Sequence, residues 1–103
     1  MLKHLVLWTL TEKAEAEGLP QTVAKLNASA QNMVGKIPGL ITSRVYRNTA
    51  VPDAPGEFRN LVFYSEFENT GALAAYQETP LHRAHREMAA SYVRNRETID
   101  FEI

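Results

Sequence analysis

The sequence predicts an α+β domain with the ferredoxin-like order β-α-β-β-α-β, an antiparallel four-stranded sheet with its helices on one face. Three observations predict it. Four strand-like runs occur, and two helical stretches separate the first from the second and the third from the fourth. The first helical stretch has apolar residues at 3.6-residue spacing. The first and third strands are apolar on both of their faces, so helices on one side leave a second apolar surface to be covered.

In chain order, residues 3–10 open with His4-Leu5-Val6-Leu7-Trp8-Thr9-Leu10. Val6, Trp8 and Leu10 alternate with Leu5 and Leu7, and His4 shares the face of Val6 and Trp8. Residues 11–18 are charged and alanine-rich, a connection or a short irregular helix. Leu19, Val23, Leu26, Ala30, Met33, Val34 and Ile37 then mark a helical stripe, placing the first long helix at about 19–36. Ile37-Pro38-Gly39 is a turn, since proline cannot continue the helix and glycine admits a left-handed bend.

Residues 40–47 form the second strand, with Leu40, Thr42, Arg44 and Tyr46 on one face and Ile41, Ser43 and Val45 on the other. Residues 48–58 contain Pro52, Pro55 and Gly56 and read as a loop. The third strand spans 59–68, with Leu61, Phe63, Ser65 and Phe67 alternating against Val62, Tyr64 and Glu66. Asn69 and Thr70 cap the next helix, whose buried side carries Leu73 and Tyr76. Residues 97–103 are the last strand, and its Ile99 and Phe101 are expected in the core.

Between these lies Tyr76-Gln77-Glu78-Thr79-Pro80-Leu81-His82-Arg83-Ala84-His85, which holds two of the three histidines. Thr79 is a good N-cap and Pro80 suits the first helical turn, which sets His82 at N3. The helix dipole disfavours a proton on the ring there, and neutral imidazole is the form a general base requires. On the wheel Leu81, His85, Met88, Ala89 and Tyr92 share one half, with His82 at its edge. Arg83, Arg86, Glu87 and Arg94 take the other half. An inward histidine is commonly a hydrogen-bonded core residue. Two on one face beside Tyr76 point equally to a polar site.

Composition removes several function classes. The chain has 103 residues, room for one domain over 1–103, with 45% hydrophobic and 22% charged residues. With 11 basic and 12 acidic residues there is no electrostatic footprint for nucleic acid or an anionic membrane. The third strand also lacks the glycines of an RNA-binding sheet of the same order. Without cysteine there is no disulfide or thiolate chemistry, which suits a cytoplasmic location. No apolar run reaches the roughly 20 residues of a membrane span, and the opening residues lack the layout of a signal peptide. No metal-ligand signature, phosphate loop, dinucleotide fingerprint or activated nucleophile is recognisable, so no cofactor and no metal are expected. Leu5, Leu7, Val62 and Tyr64 form the second apolar surface, and a homodimer joined sheet to sheet would cover it.

In this order and spacing the residues resemble the stress-responsive dimeric α/β-barrel (Dabb) family. The likeness rests on His4-Leu5-Val6-Leu7-Trp8, the Ile37-Pro38-Gly39 turn and the strand around Leu61 to Glu68. It rests also on Tyr76, which three residues separate from the unit Pro80-Leu81-His82. The resemblance implies a ferredoxin-like dimer with a pocket for a small apolar molecule between helices and sheet. A plant polyketide cyclase of this family closes a ring by aldol condensation without a cofactor. Its histidine and tyrosine correspond to His82 and Tyr76, and its strand-one histidine to His4. The resemblance implies Val6, Trp8, Phe63, His85 and Val93 as the pocket lining. Two departures separate the chains: Thr79 stands where that enzyme has histidine, and His85 where it has an aromatic residue. The mechanism implied has His82 remove a proton next to a carbonyl while Tyr76 hydrogen-bonds the developing enolate and His4 orients the substrate. The alternatives are a non-catalytic stress-associated binding or assembly protein, and a cofactor-independent monooxygenase by fold analogy alone.

Overall fold

A computed structural model describes residues 1–49 and 61–103 of the chain. Most of the expected 48–58 loop, and the 59–60 start of the third strand, lie outside the described residues. The order is β1 (Leu2–Leu10), α1 (Glu12–Glu17), α2 (Leu19–Asn32), β2 (Leu40–Arg47), β3 (Leu61–Phe67), α3 (Thr70–Gln77), α4 (Pro80–Ala89) and β4 (Val93–Glu102). The strands form one antiparallel sheet ordered β2-β3-β1-β4, the ferredoxin-like arrangement. No described helix is long and apolar enough to cross a membrane.

Local chemistry explains the element bounds. Thr11 caps the short α1, which occupies the charged 11–18 segment, and Gly18 at φ 97° turns the chain into α2. The α2 helix stops at Asn32, earlier than the stripe suggests, and Met33 to Lys36 follow as turns. Gly39 sits at φ 83° between α2 and β2, and its carbonyl accepts from the Glu68 N–H at 2.9 Å. Asn69 caps α3 by accepting from the Ala72 N–H, and Thr79 caps α4 by accepting from the His82 N–H.

The core lies between the helices and one sheet face. Val6, Trp8, Leu61, Phe63 and Phe67 rise from the sheet to meet Leu26, Ala30, Leu73, Tyr76 and Ala89. A register shift between Leu40 and Thr42 lets Leu40 join Ser43 and Val45 on the buried side, where strict alternation would have sent it outward. A second shift, between Thr9 and Leu10, pairs Leu10 with Val93.

Two expectations are corrected. The last strand begins at Val93, because main-chain pairing with β1 holds its polar first half in the sheet. Ile99 and Phe101 are not core residues: they pair with Leu5 and Lys3 on the face turned away from the helices and are 50% and 42% exposed. Thr98 and Asp100, paired with Val6 and His4, take the helix side.

Candidate functional site

A cavity of about 380 Å³ opens between the sheet and the α3–α4 pair. Val6, Trp8 and Phe63 make its apolar floor, and Tyr76, His82, His85 and Ala89 its helical wall. His4 enters from β1, Arg96 and Thr98 from β4, and Gln77, Glu78 and Arg86 complete the lining. The cavity therefore brings together His4, Val6, Trp8, Phe63, Tyr76, His82 and His85. Val93 is the exception among the expected residues. It is buried opposite Leu10 at the shifted end of β4 and does not line the cavity.

Tyr76 and His82 are neighbours, with ring centroids 4.3 Å apart. The Thr79 cap couples them, since its hydroxyl donates to the Tyr76 carbonyl at 2.8 Å and accepts from the His82 N–H at 3.1 Å. Tyr76 is buried and packs edge-on against Phe67 at 4.9 Å. Burial raises its phenol far above the ordinary value, against a smaller opposing effect of Arg96 and Arg86, so it stays protonated and able to donate. His82 is held below the usual imidazole value, mainly by burial. The Gln77 backbone opposes that shift, and the electrostatic effects of Arg86, Arg96 and, last, His4 reinforce it. Neutral imidazole was expected at this position from the helix terminus. Burial is the larger cause.

His85 is buried, and its Nδ1 lies 2.8 Å from Ser29 Oγ on α2. Its ring stacks on Trp8 at 6.2 Å and meets Phe63 edge-on at 5.0 Å. Burial pushes its pKa down to about 4, with His82 and Arg96 adding to the shift. The ring is thus neutral at pH 7. Among the described residues, His85 Nε2 and Trp8 Nε1 are buried without a hydrogen-bond partner. Both side chains line the cavity, but these two atoms are closed off within the packing.

His4 is buried, and its Nδ1 lies 2.5 Å from the Asp100 carboxylate. An ionised carboxylate only accepts, so Nδ1 carries the hydrogen and Nε2 is left as the free ring nitrogen. Asp100, Arg96 and Arg86 escaped the sequence reading. Asp100 and Arg96 share the alternating polar side of β4, and that period of two was the available signal. Arg86 follows His82 by one helical turn, at the margin of the wheel's polar half. Among the described residues no group of three or more histidine, aspartate or glutamate side chains is placed to hold a metal ion.

A four-stranded ferredoxin-like sheet with a histidine- and tyrosine-lined cavity under its second helical pair defines the class of the protein. The model of the Stress responsive A/B Barrel Domain, Dabb, matches residues 2–103, and the chain belongs to that family. A dimeric protein of unknown function with a ferredoxin-like fold from Bacteroides fragilis is similar at 26% identity and a TM-score of 0.79. That alignment covers 99% of this chain and 95% of the other. At3g17210 from Arabidopsis thaliana superposes with a TM-score of 0.85 at 18% identity, over 100% of this chain and 95% of that one. A Nitrosomonas europaea protein, described as a candidate antibiotic biosynthesis monooxygenase, reaches a TM-score of 0.69 at 17% identity, over 99% and 97% of the two chains. At these last two identities the likeness is one of fold. No curated protein matches the chain in sequence.

Proposed function

We propose that this chain is a homodimeric small-molecule enzyme that performs cofactor-independent acid–base chemistry on a carbonyl compound with an apolar body. One observation carries the reading: a neutral His82 and a protonated Tyr76 lie in contact in one cavity above an apolar floor. In this mechanism His82 removes a proton next to the carbonyl. Tyr76 donates a hydrogen bond to the enolate oxygen as charge gathers there. His4, held by Asp100 through Nδ1, presents Nε2 to the substrate and positions it. Trp8 and Phe63 hold the apolar body. Homodimerisation is supported by the apolar outer face of the sheet and by the dimeric state of the similar Bacteroides fragilis protein.

Proton abstraction is testable without knowing the natural substrate. A panel of methyl ketones and 1,3-diketones is incubated in deuterium oxide, and loss of the α-proton signal is followed by NMR. The wild-type protein is expected to accelerate exchange for at least one of them. His82→Asn should remove about 10²–10⁴-fold of that acceleration, and Tyr76→Phe a smaller part. The non-catalytic reading, a stress-associated binding or assembly protein, makes a different forecast. Wild type and variants would then bind ligand with modest differences and none would exchange a proton.

A further inference from the structure

The cavity has a positive end that acid–base chemistry at His82 does not require. Arg96 lies on the helix-facing side of β4, in register with Trp8, where a ferredoxin-like sheet would ordinarily bury an apolar side chain. Arg86 comes from α4, and both line the cavity beside His82. Both also line an adjoining cavity of about 310 Å³, so they stand where the two spaces meet. Neither guanidinium has an ion-pair partner among the described residues. Among the described residues Glu78 is the single carboxylate lining the main cavity, Glu87 lines the adjoining one, neither pairs with Arg86 or Arg96, and Asp100 is engaged by His4. The Arg96 guanidinium is further disfavoured by burial and by the charge of Arg86. Both arginines are exposed, come from separate elements and line one partly enclosed space with Trp8 and Phe63, and no carboxylate among the described residues pairs with either.

We propose that Arg86 and Arg96 form a carboxylate-recognition site, and that the cavity takes an apolar-bodied compound bearing a carboxylate. The inference names the substrate class of the site proposed above and rests on that placement of the cavity. The carboxylate sits between the two guanidinium groups, and the apolar body lies over Trp8 and Phe63. The reactive carbonyl then comes within reach of His82 and Tyr76. A lone arginine at a cavity mouth is satisfied by water. A second one lining the same cavity, from another element, adds the donors with which a carboxylate forms two or more charge-assisted hydrogen bonds.

The test compares 3-phenylpropanoate with its neutral primary amide by calorimetric titration of the wild-type protein. The acid is expected to bind about tenfold or more tightly than the amide, as charge-assisted hydrogen bonds imply. Arg96→Gln and Arg86→Gln should each weaken the acid by about tenfold and leave amide binding unchanged, which also reports that the cavity is intact. Arg96→Lys should recover part of the preference. Equal affinity for acid and amide, loss of both ligands together in the variants, or no saturable acid binding at millimolar concentration would overturn the proposal. The deuterium-exchange assay separates this result from the catalytic one. An arginine-dependent acid preference without exchange leaves the carboxylate site standing and removes the acid–base reading. Exchange without an acid preference does the reverse.

Discussion

His85 shows how one side chain can tie stability to pH. Its folded-state pKa is about 4, while in an unfolded chain it returns to the ordinary value near 6.5. Between those values the unfolded state binds the extra proton, so stability rises with pH across the window. The contribution is complete above about 6.5 and lost as pH falls toward 4. For a side chain only 5% exposed it amounts to roughly 3 kcal/mol at most. His82 shifts in the same direction but is half-buried, so solvent screening makes its share smaller. His85→Phe keeps an aromatic ring against Trp8 and Phe63 and removes the titration. Urea midpoints measured at pH 7 and pH 5 should fall clearly for wild type and much less for the variant. Equal falls would mean that the ring is not held neutral by its surroundings.

At the scale of elements, the α3–α4 junction is the part of the fold that builds the site. Thr79 follows Glu78, the C-cap of α3, and starts α4, and its hydroxyl bridges the backbones of Tyr76 and His82. Thr79→Ala should lower stability by about 0.5–2 kcal/mol, the usual cost of losing an N-cap. It should also loosen the pairing of the two rings and so reduce exchange activity. Thr79→Ser, which retains the oxygen, should recover most of both in thermal unfolding and exchange assays. The turn between α2 and β2 is a second sensitive point, because Gly39 sits at φ 83° with Ala72 packed against it. A Cβ there would lie 2.5 Å from Ala72 Cβ, so strain and overlap act together. Gly39→Ala should cost about 1–3 kcal/mol, read as a lower urea midpoint. Gly35→Ala provides the comparison. Its φ is 85° but nothing lies near the added carbon, so its loss should be the smaller of the two.

At the scale of the whole molecule, the sheet has, among the described residues, one face under helices and no helix on the other. Leu5, Leu7, Val62 and Tyr64 are only half-buried, and Ile99 and Phe101 extend the same surface. Tyr46 joins through its ring contact with Tyr64, while Glu66 binds both Lys3 and the Tyr64 hydroxyl among them. The face is thus apolar at its centre with a satisfied polar cluster within it, a pattern suited to self-association. Light scattering at micromolar concentration should give the mass of a dimer. Val62→Asp, which would bury an unpaired charge, should weaken the dimer by several kcal/mol. Phe101→Ala should lower the dimer's concentration-dependent stability while leaving the helix-side core unchanged. A folded wild-type monomer at that concentration would rule out the sheet-to-sheet dimer.

Much of this architecture was legible in the sequence because it depends on neighbours in the chain. Period-two and period-3.6 apolar spacing reported β1, α2 and β3, and the Thr79-Pro80 pair reported the break before α4 with its cap. The spacing of Tyr76 and His82 likewise survives as contact, since six residues across a capped helix junction leave little freedom. What distant pairing governs had to wait for the fold. The start of β4 at Val93, the shift that turns Leu40 inward, and the outward placement of Phe101 all follow from strand register. So does the contact of His4 with Asp100, 96 residues away, and the arrival of Arg96 beside Trp8. A one-residue change of register sends every side chain of a strand to the opposite face. In β4 the residues Arg94, Arg96, Thr98, Asp100 and Glu102 are all polar while Ile99 and Phe101 lie on the other side, so the strand's own pattern, read alone, sends the apolar pair inward. Pairing with β1 decides the opposite, and with it the charge and the chemistry of the cavity.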